Sequence, residues 1–148
     1  MDRYDLERFR KAQAANYGDA VEELRQGWKR THWMWYVFPQ LKALGRSETA
    51  AFYGIGGIGE ACAYLEDGIL GPRLVAVSRL LLETEDTNPR RVMGYPDCLK
   101  LKSSMTLFEN AAQRIQDGEA EEVFASVLSR FYHGRRDEET LKLLRKEA

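Results

Sequence analysis

The chain has 148 residues, of which 44% are hydrophobic and 30% charged, and its formal net charge is −1. A chain of this length buries enough surface to fold without a disulfide or a bound metal, so residues 1–148 are predicted to form a single domain. The near-neutral charge disfavours nucleic acid as a partner, because phosphate backbones select proteins with a surplus of Lys and Arg.

The N-terminal segment and the cysteines indicate a cytoplasmic protein. The segment MDRYDLERFRKAQ is charged and lacks the apolar stretch of a signal peptide, and no apolar run approaches the roughly 20 residues that span a bilayer. Cys62 and Cys98 fall in apolar segments predicted to be helical, which is typical of reduced, packed thiols. No His or Cys pair has the spacing of zinc ligands, so we expect neither a metal nor another cofactor.

Caps, glycines and prolines divide the chain into about seven to nine short helices, and no segment alternates like a β-strand. We therefore predict an all-α fold. Asp5 and Asp19 are predicted to cap the first two helices, with Gly18 ending the first. The other predicted helices span residues 48–53, 59–66, 71–81, 88–94, 96–112, 119–132 and 137 to the C-terminus. Such short helices are stable only when they pack against one another.

The segment KRTHWMWYVFPQLKALGRS, residues 29–47, concentrates large aromatic rings. Trp33, Trp35, Tyr36 and Phe38 point to every side of a helix, which is typical of a segment buried all round. Pro39 predicts that any helix here ends near residue 37. Two interpretations stay open: the rings form a core, or some of them line a binding site.

Cationic and polar side chains flank these rings. Arg30 and His32 can place a cation against an aromatic face, and His32 can act as a general acid or base near neutral pH. A stacking wall with a cationic rim suits a nucleobase that bears phosphates.

A second candidate segment is DCLKLKSSMTLFENAA, residues 97–112. On a helical wheel its apolar residues form one arc, flanked by Lys102 and Thr106 on one side and by Lys100 and Ser104 on the other. Lys102 with Ser103 or Ser104 can bind phosphate through ammonium and hydroxyl donors, and a Ser–Lys nucleophile is conceivable. The alternative is that these side chains face solvent.

Two further features have both a structural and a functional interpretation. Gln13 lies within the apolar stripe of the first helix, so it either ties down irregular backbone or lines a polar pocket. The run Gly54–Gly59 matches the dinucleotide fingerprint GxGxxG, but no strand precedes it. We therefore expect a turn and a helix cap there, whose free amides can hold an anion.

Several long motifs resemble a bacterial family of uncharacterised proteins. They are LERFRKAQ, KRTHWMWYVFPQLKALGRS, FYGI, EACAYLEDGILGPRL, LKLKSSMTLFE and VLSRFYHGRRDEETLKLL. Together they cover nearly the whole chain and are similar to the family catalogued as domain of unknown function 1810. Members are sometimes labelled calpastatin, but a calpastatin-type inhibitor is disordered and repetitive, whereas this chain has no repeat.

A shorter set of residues resembles a second family, the small helical proteins that process NAD- and ADP-ribose-derived compounds. The set comprises Gln13, Leu44-Gly45-Arg46, Val92-Met93 and Lys102. Some members of that family are N-glycosidases with acidic and aromatic residues around a nucleotide pocket. The resemblance implies a nucleotide ligand, although no residue here aligns as a catalytic carboxylate.

The leading hypothesis from the sequence is a site that binds or hydrolyses a nucleotide or ADP-ribose-type compound. Asp97 or Glu48 would then supply the carboxylate that glycosyl transfer requires. The candidate ligand-binding residues are Gln13, Arg30, His32, Trp33, Trp35, Gln40, Arg46, Tyr53, Lys102, Ser103 and Ser104. The alternatives are a non-enzymatic module that docks a protein partner, and a binder of single-stranded nucleic acid. The first alternative predicts that Trp33 and Trp35 are wholly buried.

Overall fold

A computed structural model, which describes residues 3–147, has the predicted all-α fold. Within that range there are nine α-helices, one short 3-10 helix at Lys42–Leu44 and no β-strand. The helices are α1 Glu7–Arg25, α2 Met34–Val37, α3 Glu48–Phe52, α4 Ile58–Glu66, α5 Leu70–Leu82, α6 Pro89–Met93, α7 Asp97–Arg114, α8 Gly118–Tyr132 and α9 Glu138–Glu147. No helix in residues 3–147 is both long and apolar enough to cross a membrane.

The core is organised around α7, which packs against α4, α6, α8 and α9, while α5 packs against α1, α4 and α8. A row of buried rings crosses these helices. Phe9 contacts Tyr64 edge-on at 5.1 Å between ring centroids, Tyr64 contacts Phe108 at 5.2 Å, and Phe108 contacts Phe124 at 6.2 Å. Tilted and edge-on contacts of this kind add to the free energy gained by burying the rings. The row joins α1, α4, α7 and α8 into one core.

The predicted break at Gly18 is wrong, because α1 continues through it to Arg25. A glycine inside a helix costs about 1 kcal/mol relative to alanine. Burial of Ala20 and Leu24 on the same helix outweighs that cost. Asp5 and Asp19 cap no helix: α1 begins after Leu6, and Asp19 is an exposed residue within α1.

The other predicted boundaries near the candidate site agree with the structure to within two residues. Asn88 caps α6 by accepting hydrogen bonds from the backbone amides of Arg90 and Arg91, and Gly94 ends the helix with a φ of +83°. The side chain of Ser47 caps α3. The helix before Pro39 ends at Val37, as predicted. These local signals fix where α2, α3 and α6 begin or end along the chain.

Residues 40–42 cross residues 54–55 at close range, and both segments lie between α2 and α4 in the chain. The amide of Ile55 donates to the carbonyl of Gln40 at 2.9 Å, and the amide of Lys42 donates to the carbonyl of Ile55 at 2.8 Å. A Cβ atom at Gly54 would overlap the backbone and side chain of Lys42. Glycine is therefore required at position 54 by the close approach of the chain at residues 40–42.

Candidate functional site

A groove runs between the segment that contains α2, the 3-10 helix and α3 on one side, and the start of α7 on the other. It has a larger lobe of about 540 Å³ and a smaller lobe of about 280 Å³. The larger lobe is lined by Gln40, Leu44, Gly45, Arg46, Ser47, Ala50, Pro96, Leu99, Lys100, Ser103, Asp137 and Glu139. The smaller lobe is lined by Lys29, His32, Met34, Trp35, Met93, Gly94, Tyr95, Pro96, Asp97 and Lys100.

The two lobes meet at the first turn of α7. Pro96 and Lys100 line both of them, so the lobes are adjacent, and together they are called the groove here. A small cavity next to both lobes, the neck, is lined by Met34, Trp35, Phe38, Gln40, Ala50, Tyr53, Gly54 and Lys100. Lys100 is therefore the residue that borders the larger lobe, the neck and the smaller lobe.

The ammonium group of Lys100 lies over an aromatic ring. Its Nζ atom is 5.4 Å from the ring centroid of Trp35, a partly buried tryptophan of α2. A cation over an indole face is attracted by the negative charge of the π system. This contact holds a positive charge at the junction of the two lobes.

A second lysine is paired at the base of the smaller lobe. Lys29, whose side chain is only 6% exposed, lies 2.7 Å from Asp97, and Lys100 lies 3.5 Å from the other oxygen of the same carboxylate. Lys29 also donates to the carbonyl of Thr31 and lies over the ring of Trp33. Because one carboxylate serves two ammonium groups, this cluster retains a surplus of positive charge.

Three other polar side chains of the groove have no partner among residues 3–147. Among residues 3–147, the guanidinium of Arg46 and the imidazole of His32 form no hydrogen bond or ion pair, and both are exposed. The side-chain amide of Gln40 is likewise without a hydrogen bond in that range. In contrast, Ser103 donates to the carbonyl of Leu99 at 3.2 Å. The groove therefore offers donors to a ligand from both lobes.

Every carboxylate that lines the groove is already engaged. Asp97 is paired with two lysines, as described above. Asp137 accepts hydrogen bonds from the amide and hydroxyl of Thr140 at the start of α9. Glu139 lies 3.7 Å from Lys142. The other carboxylate suggested by the sequence, Glu48, is exposed in the first turn of α3 and is outside the lining of both lobes.

Trp33 lies on the opposite, core-facing side of the aromatic segment. It is 1% exposed, and its indole Nε1 donates to the carboxylate of Glu23 at 3.0 Å. Glu23 also accepts from the amides of Arg30 and Thr31 and from the Thr31 hydroxyl. Burial alone would raise the pKa of the Glu23 carboxyl, but these hydrogen bonds outweigh burial and lower its pKa from 4.5 to about 2. Glu23 thereby anchors the loop that carries Lys29 and His32.

Gln13 also lies in the core rather than in the groove. Its side-chain amide donates to the carbonyl of Tyr36 at 2.7 Å and to the hydroxyl of Tyr64 at 3.0 Å. This contact ties the end of α2 to α1 and α4. These contacts agree with the structural interpretation of Gln13, as a buried side chain whose hydrogen bonds hold irregular backbone in place.

The remaining candidates lie apart from the groove. Arg30 is exposed and stacks over Trp28 at 5.3 Å. Lys102 is partly buried on α7 but lines neither lobe nor the neck. Ser104 is fully buried, and its hydroxyl has no hydrogen-bond partner in residues 3–147.

The structure therefore brings six of the eleven candidates together at the groove: His32, Trp35, Gln40, Arg46, Tyr53 and Ser103. The groove also contains residues that the list of candidates missed, chiefly Lys29, Lys100, Tyr95 and Leu99. A signal for Lys100 existed, since the helical wheel puts it beside the apolar arc of α7. Tyr95 and Leu99 gave no comparable signal, because their exposure of 61% and 52% depends on the tertiary fold.

The glycine run forms the expected turn and helix start. Gly57 precedes the first residue of α4, and the amide of Ile58 donates to the carboxylate of Glu147 at 3.2 Å. The amide of Gly56 donates to Glu60. The predicted anion position at this helix start is therefore occupied by a carboxylate of the chain itself.

A further concavity of about 420 Å³ lies between α5 and α8. Its charged groups are already paired with each other or with backbone: Arg79 lies 2.6 Å from Glu119, and Asp117 accepts from the amide of Ala120. A ligand there would meet few free donors, so the groove beside Trp35 is the better candidate site.

The fold and sequence define the class of protein. The chain belongs to a family described as a protein of unknown function (DUF1810), whose model matches residues 3–144. The predicted membership of this family is confirmed.

A solved structure is similar over almost the whole chain. It is the crystal structure at 1.38 Å of the conserved hypothetical protein Rv1873 from Mycobacterium tuberculosis, which is 46% identical in sequence. The match has a TM-score of 0.91 and covers 97% of this chain and 99% of that one. A comparison with curated proteins gives no match.

Proposed function

We propose that the groove binds a phosphorylated small molecule of the nucleotide class, either a mononucleotide or an ADP-ribose-type compound. The observation that carries the proposal is the position of Lys100, whose ammonium lies 5.4 Å from the Trp35 ring where the two lobes meet. Ligand pockets typically combine apolar surface with a few convergent polar groups. A nucleotide needs both, because its base is flat and its phosphate is charged.

The individual residues suit the parts of such a ligand. Leu99 and the part of the Tyr95 ring that Arg90 does not cover expose apolar surface on which a base can pack. Arg46 and Lys100 can hold phosphate oxygens, and the unpartnered amide of Gln40 can orient a ribose or base. Trp35 contributes by keeping the Lys100 ammonium in place rather than by a free ring face.

The geometry favours binding over hydrolysis of an N-glycosidic bond. Glycosidases use a carboxylate to stabilise the positive charge that develops on the sugar. Asp97 is the carboxylate nearest the junction, and its negative charge is already shared by Lys29 and Lys100. A carboxylate so neutralised stabilises a second cation weakly.

Calorimetric titration and thermal-shift assays with AMP, NAD and ADP-ribose test the proposal. Wild-type protein should bind at least one of them below millimolar concentration. Lys100→Met should weaken that binding by about tenfold or more, as expected for loss of a charge-assisted contact. Lys102→Met is the matched control, because Lys102 is on the same helix but outside the groove, and it should leave the affinity unchanged.

The alternative hypothesis, a non-enzymatic module that docks proteins, predicts flat titrations for all three compounds with wild-type protein and with both variants. No heat and no thermal shift at millimolar ligand would therefore refute nucleotide binding. Equal losses in Lys100→Met and Lys102→Met would refute the assignment of the ligand to this groove.

A further inference from the structure

We infer that the groove takes a ligand with two ring-bearing halves joined by an anionic linker, with one half in each lobe and the linker over Lys100. This inference rests on the proposed function and specifies its ligand. It follows from three observations: two lobes of different size, an unpaired donor in each lobe, and a lysine shared between them.

Each lobe by itself has the parts of a half-site. The larger lobe combines the apolar side chains of Leu44 and Leu99 with the unpartnered guanidinium of Arg46. The smaller lobe combines the ring of Tyr95, over which the Arg90 guanidinium lies at 4.7 Å, with the imidazole of His32, which has no partner among residues 3–147. Apolar surface beside a free donor is what a flat heterocycle with polar edges requires.

The junction is suited to an anion. Among residues 3–147, Lys100 is the one cationic side chain that lines both lobes. Its carboxylate partner, Asp97 at 3.5 Å, lies closer to Lys29, at 2.7 Å. The charge of Lys100 is therefore only partly compensated, and a phosphate or diphosphate crossing from one lobe to the other would complete its pairing.

The size of the lobes supports the same ligand class. Pockets that enclose a drug-sized molecule measure about 300–1,000 Å³. The smaller lobe, at about 280 Å³, lies just below that range, and the larger lobe, at about 540 Å³, lies within it. A mononucleotide would leave one of the two lobes unfilled, whereas a dinucleotide would fill both.

Titration with NAD and with its two halves, AMP and NMN, tests the inference. Covalent linkage of two weakly bound halves raises affinity by about 100-fold or more when both sites can be reached together. We expect NAD to bind about 100-fold more tightly than AMP or NMN, AMP and NMN to bind at the same time, and NAD to displace both.

Lobe-specific variants identify which half lies where. Arg46→Ala and His32→Ala should each weaken NAD by about tenfold, and each should weaken a different one of the two mononucleotides. If AMP binds and NAD binds no more tightly, the two-part ligand is wrong and nucleotide binding stands. If none of the three compounds binds, both proposals are wrong.

Discussion

Trp33 and Trp35 lie two residues apart in the chain and have opposite surroundings. Trp33 is enclosed in the core and donates its indole N–H to Glu23. Trp35 is partly buried, lines the groove and carries the ammonium of Lys100 over its ring. One aromatic segment therefore contributes one ring to the core and the next to the lining of the candidate groove.

The same division between core residues and groove residues recurs on α7. Ser103 lines the larger lobe, whereas Ser104, the next residue, is buried in the core with an unpartnered hydroxyl. The carboxylates divide in a similar way: Glu23 is buried among hydrogen-bond donors, and Asp97 lies in the groove between two lysines. Substitutions on the core side should change stability, and those on the groove side should change the affinity for the proposed ligand.

The largest effect should come from truncating the core tryptophan. Trp33→Ala should lower the free energy of unfolding by about 3–5 kcal/mol, because it removes a fully buried ring and leaves Glu23 with one hydrogen bond fewer. Trp35→Ala should cost clearly less, since that ring is partly exposed. Urea denaturation of both variants measures the difference, and equal losses would contradict the division between the two rings.

Glu23→Gln should have the next largest effect, about 3 kcal/mol at neutral pH, since an amide cannot accept all the hydrogen bonds that the carboxylate receives. The pKa of Glu23 falls from 4.5 to about 2 on folding, so its contribution is complete above pH 4.5 and is lost as pH falls toward 2. The stability difference between wild type and Glu23→Gln should therefore shrink over that interval in acid-titrated urea melts. A difference that stays constant with pH would show that the charge of Glu23 is not the cause.

Lys100→Met should change stability little, by about 1 kcal/mol or less, because its ion pair with Asp97 is long and partly exposed. If the groove binds nucleotides, the same variant loses about 1.4 kcal/mol or more of binding free energy, which is a tenfold change in affinity. Denaturation and calorimetry on one preparation separate the two effects. A large loss of stability with unchanged affinity would show that Lys100 supports the fold rather than ligand binding.

The smallest effect should come from the serine pair. Ser104→Ala removes a buried hydroxyl that has no hydrogen-bond partner among residues 3–147, so it should be neutral or stabilise the protein by up to about 1 kcal/mol. Ser103→Ala should stay within about 0.5 kcal/mol. Thermal melts that show marked destabilisation by Ser104→Ala would indicate a hydrogen bond to a buried water.

Much of the fold follows from local sequence signals. Asn88-Pro89, Gly94 and Pro39 act through the backbone of their own neighbourhood, so the ends of α6 and α2 could be predicted from them. The break at Gly18 could not be predicted correctly, because the competing signal was tertiary burial of Ala20 and Leu24.

The site could be predicted only in part, for a related reason. The sequence indicates that a ring or a lysine lies near a boundary of the core, but it does not indicate which side of the boundary each one takes. Lys100 lies over Trp35, and Lys29 rather than Arg30 or His32 lies over Trp33. The Lys100–Trp35 pair joins α7 to α2, so it depends on the tertiary fold, which no local pattern encodes.

The crossing at Gly54 has a consequence for how the groove can respond to a ligand. Main-chain atoms of Gly54 and Lys42 approach too closely for a side chain to intervene, and two backbone hydrogen bonds pin the residues on either side. The part of the neck that Gly54 lines is thus held in place by the polypeptide backbone. Any widening of the neck would therefore come from its side chains, such as Trp35 and Lys100, while the wall at Gly54 stays in place.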